Sequence, residues 1–315
     1  MKQKKIFALI LSASLSLTAY AGDAKQEKEL RLAASIGDAE AIMQLLDQGA
    51  NVNSSNEIGK TPLMMAIESD SMEATAVLLS RGAEVNAATE AGCTALTFAA
   101  ENGHDALTAL LLERGADLNA RTRAGWDALT IAARYGLTDM VDQLLYKGAD
   151  PNGGDKDGRT SLMHAAETGH PETVALLLKG KADHSARDKH ESTALIIAAD
   201  KGHSDVIDVL LDHGADINLQ DVDGATALIW AVGQDHYGAA ERLIRRGANI
   251  NQQDADGITA LMEAASVRSE NLVKLLLENG ADPAIKSKRG RTAMDIAAKK
   301  RNKKVIALLE NAVSK

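Results

Sequence analysis

The chain has 315 residues, a formal net charge of −9 and only 3% aromatic residues. The acidic balance argues against nucleic-acid binding, because contacts with phosphate need a basic face. Cys93 is the single cysteine, so no intramolecular disulfide can form and the fold must be held by packing.

The first 21 residues predict a cleavable secretory signal peptide. Lys2, Lys4 and Lys5 form a positive start, residues 6–17 are apolar apart from serines, and Ala19-Tyr-Ala21 resembles a cleavage site. We expect cleavage after Ala21, which removes the three lysines and takes the formal charge from −9 to −12. The predicted destination is the periplasm or the outside of the cell, with no transmembrane segment in the mature chain. The alternative is an uncleaved membrane tether, although the apolar run is short for a membrane span.

The rest of the chain follows a period of 33 residues. A Gly-x-Thr-x-Leu phrase, or a close variant of it, begins at residues 59, 92, 125, 158, 191, 224, 257 and 290. The glycine suits a tight turn with positive φ, and Glu191 alone replaces it. The residue two places later, such as Thr61, can cap the start of a helix. Each repeat therefore predicts a turn followed by a first helix.

The second half of each repeat predicts a second helix. A pair of small residues, such as Ala99-Ala100, allows neighbouring helices to approach closely, and a break such as Gly103-His104 follows. The next apolar segment ends at a glycine that suits a left-handed helix cap, except that Lys181 stands at this position in one repeat. A unit this short cannot bury its own apolar face, so the units must stack.

Helix, turn, helix and hairpin in this register resemble the ankyrin repeat, over almost all of the chain after residue 25. The resemblance implies an all-α ankyrin-repeat solenoid of about nine helix-turn-helix units with β-hairpin-like turns. The predicted repeat domain covers residues 22–315. It has an N-terminal capping unit at 25–58, repeats starting near 59, 92, 125, 158, 191, 224 and 257, and a C-terminal capping unit at 290–315.

Motifs for catalysis or metal binding are weak. Histidines recur at positions 104, 170, 203 and 236, but equivalent positions of neighbouring repeats lie about 8–10 Å apart, too far to share one zinc ion. Asp-x-Asp-Gly turns begin at Asp155, Asp221 and Asp254, but the other ligands of a calcium loop are missing or poor, so we interpret these aspartates as turn caps. We predict no enzyme activity, no metal and no cofactor. The alternative is a hydrolase with an unrecognised site.

The resemblance implies a protein-binding surface on the hairpin tips and the inner face of each first helix. We predict a patch centred on the repeat that begins at Gly125 and enriched in aromatic and arginine anchors. Its residues are Phe98, Arg123, Trp126, Ile131, Arg134, Tyr135, Ile197 and Trp230. The alternative is that Phe98, Ile131 and Trp230 only fill space between helices.

These observations predict an exported, monomeric scaffold or regulator that binds an unidentified protein partner and no nucleic acid. A secreted effector acting on a host protein is the alternative. Lysines and arginines are concentrated between residues 286 and 304. They indicate either an acidic partner or a solvated capping face.

Overall fold

The computed structural model describes residues 24–313, so the predicted signal peptide at 1–21 lies outside the described residues. The chain divides into two compact units, which we call unit 1 (Met1–Ala128) and unit 2 (Leu129–Lys315). Each unit is built from pairs of short helices, and the division falls in the first turn of one helix, Ala128–Arg134.

The fold is all-α in the described range, where the hairpin-like turns contribute one isolated bridge, between Gln220 and Thr226. The helices of unit 1 are α1 (residues 24–35), α2 (Ala39–Asp47), α3 (Pro62–Glu68), α4 (Met72–Ser80), α5 (Ala95–Asn102) and α6 (Asp105–Glu113). Those of unit 2, with the first residue of α7 still in unit 1, are α7 (Ala128–Arg134), α8 (Thr138–Tyr146), α9 (Ser161–Thr168), α10 (Pro171–Lys179), α11 (Ala194–Lys201), α12 (Ser204–Asp212), α13 (Ala227–Gly233), α14 (Tyr237–Arg245), α15 (Ala260–Val267), α16 (Glu270–Glu278), α17 (Ala293–Lys300) and α18 (Lys303–Val313).

Threonine caps start most of the first helices, as predicted. In each case the hydroxyl oxygen accepts a hydrogen bond from the backbone N–H three residues later, and the cap itself has an extended backbone. The residues that do this are Thr61, Thr94, Thr160, Thr193, Thr226, Thr259 and Thr292. A cap of this kind stabilises a helix by about 1 kcal/mol, and it fixes where the following side chains point.

Like helices stack on like helices within each unit. In unit 1, α3 packs on α5, and α4 packs on both α2 and α6; in unit 2 the odd-numbered helices from α9 to α17 pack in succession, as do the even-numbered helices from α8 to α18. The contacts are apolar: Leu195 and Leu210 are at most 2% exposed, and the small pair Ala198 and Ala199 is fully buried. Alanine at these positions removes side-chain bulk and lets the first helices come close together.

The recurrent histidines are structural where their hydrogen bonds are defined. His203 Nε2 lies 3.0 Å from the carbonyl oxygen of Glu167 in the preceding repeat, and His236 Nε2 lies at the same distance from that of Asp200. A Cβ atom on Gly169 would lie 2.6 Å from the ring of His203. Each of these two imidazoles thus bonds to the backbone of the last turn of the first helix in the preceding repeat.

The two departures from the glycine pattern both adopt the left-handed conformation that glycine adopts elsewhere. Glu191 has φ 57° and Lys181 has φ 69°. A side chain in this conformation costs about 1–2 kcal/mol relative to right-handed backbone. The stretch from Lys181 to Glu191 is therefore the strained hairpin of unit 2.

A ladder of asparagines joins neighbouring hairpins. Asn152 donates from its amide to the carbonyl oxygen of Lys181 at 3.3 Å and accepts from the N–H of Asp183 at 2.7 Å. Asn251 repeats this arrangement further along unit 2, as Asn53 does in unit 1. Ser185 occupies the same register, but within the described part of the chain its hydroxyl donates only to Asp183 of its own turn. The ladder is interrupted there.

We predict that Ser185→Asn raises the free energy of unfolding by about 1 kcal/mol, because the longer amide restores bonds to the next hairpin. Asn152→Ser is the matched control and should lower it by a similar amount. Urea denaturation followed by circular dichroism measures both changes. Equal stability of Ser185→Asn and the parent chain would contradict the importance of the ladder.

Candidate functional site

The inner surface of unit 2 is formed by one residue from each first helix and by the turn that precedes that helix. The inner residue lies two positions after the buried leucine of the repeat, about 200° around the helix, so it lies on the opposite side of the helix from that leucine. We call these residues the inner positions; in unit 2 they are Ile131, His164, Ile197, Trp230, Glu263 and Ile296.

A series of aspartates caps the turns opposite these inner positions. The members, which we call the turn aspartates, are Asp155, Asp188, Asp221 and Asp254. In each, Oδ1 accepts hydrogen bonds from the backbone N–H groups two and four residues later, at 2.7–3.0 Å. The interpretation of Asp155, Asp221 and Asp254 as turn caps is therefore confirmed.

The other carboxylate oxygen of a turn aspartate can hold an inner side chain in place. His164 Nε2 lies 3.0 Å from Asp155 Oδ2, and Trp230 Nε1 donates to Asp221 Oδ2 at 2.6 Å. Burial lowers the pKa of His164, against the hydrogen bond and the negative charge of Asp155, which raise it. Both rings are thus fixed by the turn of their own repeat.

A chain of ion pairs connects three consecutive repeats of unit 2. Glu167 lies 3.2 Å from Arg134 and 3.0 Å from Arg159, and Arg159 Nε lies 3.4 Å from Asp188 Oδ2. Burial alone would raise the pKa of Glu167, but the charge and hydrogen bond of Arg159 and the charge of Arg134 hold it below its ordinary value. Arg134, a predicted binding residue, is therefore engaged in this network.

Two cavities lie along this surface, one on each side of Trp230. The smaller, about 280 Å³, is lined by Arg159, Glu167, Asp188, Ile197 and Trp230, among others. The larger, about 580 Å³, we call the acidic cavity; its lining includes Ala225, Ile229, Trp230, Asp223, Asp254, Asp256 and Glu263. The volume of the larger cavity falls in the lower half of the range for small-molecule pockets, ~300–1,000 Å³, and that of the smaller cavity falls just below this range.

The predicted patch residues of unit 2 differ in their exposure. Ile131 and Ile197 are only 5% and 6% exposed, so packing accounts for most of their surface. Tyr135 is 50% exposed, and Trp230 is partly exposed. Of this set, the structure brings Ile197 and Trp230 together as walls of one cavity.

The predicted patch residues of unit 1 lie on its turns and on one first helix. Phe98 is partly exposed, with the ammonium group of Lys60 4.8 Å from the centre of its ring. Arg123 is exposed and donates to the carbonyl oxygen of Glu90 at 2.9 Å, and Trp126 is partly exposed. These three side chains supply an arginine and two aromatic anchors to the surface of unit 1.

The patch predicted from the sequence does not include the turn aspartates, Arg159, Glu167 or Glu263. A usable signal is the nine-residue spacing from a turn aspartate to an inner position, as in Asp155 to His164 and Asp221 to Trp230. The ion pairs between repeats join residues that have no fixed short spacing in the sequence, so the sequence gives no comparable signal for them.

Comparison with known families agrees with the repeat register. A family model described as ankyrin repeats (3 copies) matches residues 30–122, 120–188, 174–254 and 228–315. The chain belongs to the ankyrin-repeat family. A comparison with curated proteins finds no match.

Ankyrin repeats indicate a protein–protein interaction scaffold, and the family is generally non-enzymatic. Within residues 24–313, no group of three or more His, Cys, Asp or Glu side chains could hold a metal ion. Over the same described range, none of the helices combines the length and apolar character that crossing a bilayer requires.

Glu263 is the inner residue whose negatively charged form is disfavoured in the fold. Burial and the negative charge of Asp254 raise its pKa, while Lys300 lowers it. The folded ankyrin chain therefore binds the proton of the Glu263 carboxyl group more tightly than the unfolded chain does. At a pH above the folded pKa of Glu263, its ionised carboxylate lowers the free energy of unfolding. This loss disappears as the pH falls below the ordinary value of 4.5.

We predict that Glu263→Gln raises the free energy of unfolding at pH 7 by about 0.5 kcal/mol, a modest figure because water screens a partly exposed carboxylate. Most of the gain should be lost at a pH of about 4, below the ordinary pKa of 4.5, because Glu263 is then mostly protonated in both the folded and the unfolded chain. Denaturant unfolding of both chains at the two pH values measures it. A gain that is the same at both would contradict the electrostatic cause.

Proposed function

We propose that the mature chain is an exported ankyrin-repeat scaffold or regulator that binds one protein partner through the inner positions and hairpin tips. The observation that carries this proposal is the run of ankyrin repeats over nearly the whole chain. The polar residues that recur in these repeats already make hydrogen bonds within the fold. A few large side chains remain accessible to a partner. Phe98, Trp126, Tyr135 and Trp230 are the accessible aromatic residues of the predicted patch.

Rigid presentation is the mechanism that supports binding in this proposal. The hairpins are bonded to their neighbours, and the inner side chains of His164 and Trp230 are fixed by turn aspartates. A surface ordered before binding loses little conformational entropy, so a modest contact area can give useful affinity. Large aromatic side chains then supply most of the contact energy.

We predict that the double variant Trp126→Ala, Tyr135→Ala reduces partner capture about tenfold or more while leaving helicity and melting temperature nearly unchanged. The assay is affinity capture from a periplasmic extract with the mature chain as bait, read by quantitative mass spectrometry. Tyr146→Ala is the matched control, because Tyr146 is 87% exposed at the end of a second helix. Capture that is unaltered in the double variant would reject the proposed surface.

Export is tested separately by cell fractionation and N-terminal sequencing. The proposal expects the protein in the periplasmic fraction with Gly22 as its first residue. Accumulation in the medium would favour the secreted-effector alternative, and an uncut N-terminus in the membrane fraction would reject export in soluble form.

A further inference from the structure

One member of the turn-aspartate series lacks the donor that the others have. His164 and Trp230 each donate from nine residues after their turn aspartate, and Asp188 receives Arg159 from the preceding repeat. The residue nine positions after Asp254 is Glu263, a carboxyl group at the place where His164 and Trp230 supply a ring nitrogen. In the described part of the chain, no side chain donates a hydrogen bond to Asp254 Oδ2.

Glu263 itself is also without a donor. Among residues 24–313 its carboxylate makes no hydrogen bond, and no basic side chain lies within ion-pair distance of it. Asp254 repels it, and Lys300 acts on it only through its charge. Two interacting carboxylates therefore face a place that a nitrogen donor fills in the other repeats.

The acidic cavity lies at this place and has the walls that a basic side chain needs. Trp230, which is partly exposed, provides apolar surface for an aliphatic stem, and its indole can attract a cation; Ala225 and Ile229 line the same cavity but are only 5% and 6% exposed. Asp254 and Glu263, with Asp223 and Asp256 at the same cavity, provide carboxylates for its charged end. A phosphate or a carboxylate ligand would be repelled.

We propose that the partner inserts a lysine or arginine side chain into the acidic cavity, where its cation supplies the donor missing between Asp254 and Glu263. This inference rests on the proposed function, because it specifies what a protein partner presents to the inner surface of unit 2. The occupant is a basic segment of a protein.

The test uses fluorescein-labelled tetralysine as the probe and fluorescence anisotropy of the full mature chain at low salt. Glu263→Gln should weaken tetralysine binding about tenfold, because a charge-assisted hydrogen bond is lost. Glu278→Gln removes the same charge from an exposed position at the end of α16 and should leave binding unchanged. The same peptide with all four lysines acetylated should not bind.

A second variant copies the pairing of a histidine with a turn aspartate that another repeat of this chain already contains. Glu263→His places an imidazole nine residues after Asp254, as His164 stands after Asp155. It should raise the melting temperature and abolish tetralysine binding, since the donor site is then occupied from within. Thermal melts of all variants show which of them fold.

Equal tetralysine binding by the parent chain and folded Glu263→Gln, or binding of the acetylated peptide, would overturn the inference. An equal loss of tetralysine binding in Glu278→Gln would show that net charge alone causes the loss, and it would also overturn the inference. If tetralysine binding does not depend on Glu263 but the mature chain still captures a protein partner, the proposed function is retained and only this inference is rejected. Glu263-dependent binding of tetralysine without any captured protein would instead count against the proposed function.

Discussion

The close approach of one repeat's hairpin to the next is the constraint on which the rest of unit 2 depends. Gly224 sits in the left-handed conformation, and a Cβ atom there would lie 2.6 Å from the backbone nitrogen of Ala255 in the following repeat. That nitrogen donates to the carbonyl oxygen of Asp223 at 2.8 Å. At Gly224 this direct backbone hydrogen bond, one hairpin to the next, leaves no room for a side chain, whereas the equivalent bond from the N–H of Val222 to the carbonyl oxygen of His190 is made beside Glu191.

The inner surface follows from this contact. Because neighbouring hairpins are bonded at fixed spacing, Arg159 can reach Asp188 of the next repeat, and Glu167 can lie between Arg134 and Arg159. Partly buried charges are tolerated here because each has a partner that offsets its desolvation. Glu263 departs from this rule. A residue that lowers stability in an otherwise satisfied series is the type of departure that functional surfaces show.

The sequence period was sufficient to predict most of the fold. Thr61 and its equivalents predicted the helix starts, and the left-handed backbone at Glu191 follows from its register with the turn glycines. The interaction residues were harder to assign, because burial depends on the neighbouring repeat. Ile197 and Trp230 occupy equivalent positions, yet the first is 6% exposed and the second is partly exposed and bonded to a turn aspartate.

The most direct measurement compares two glycine substitutions that share backbone strain and differ in what surrounds them. Gly224 and Gly247 have φ 72° and 90°, but a Cβ atom on Gly247 would meet nothing within 4 Å. We expect Gly247→Ala to lower the free energy of unfolding by about 1 kcal/mol, and Gly224→Ala to lower it by roughly 1–3 kcal/mol more, through steric overlap with the next hairpin. Equal losses in urea denaturation of the two variants would contradict the claim that close hairpin approach holds the repeats together.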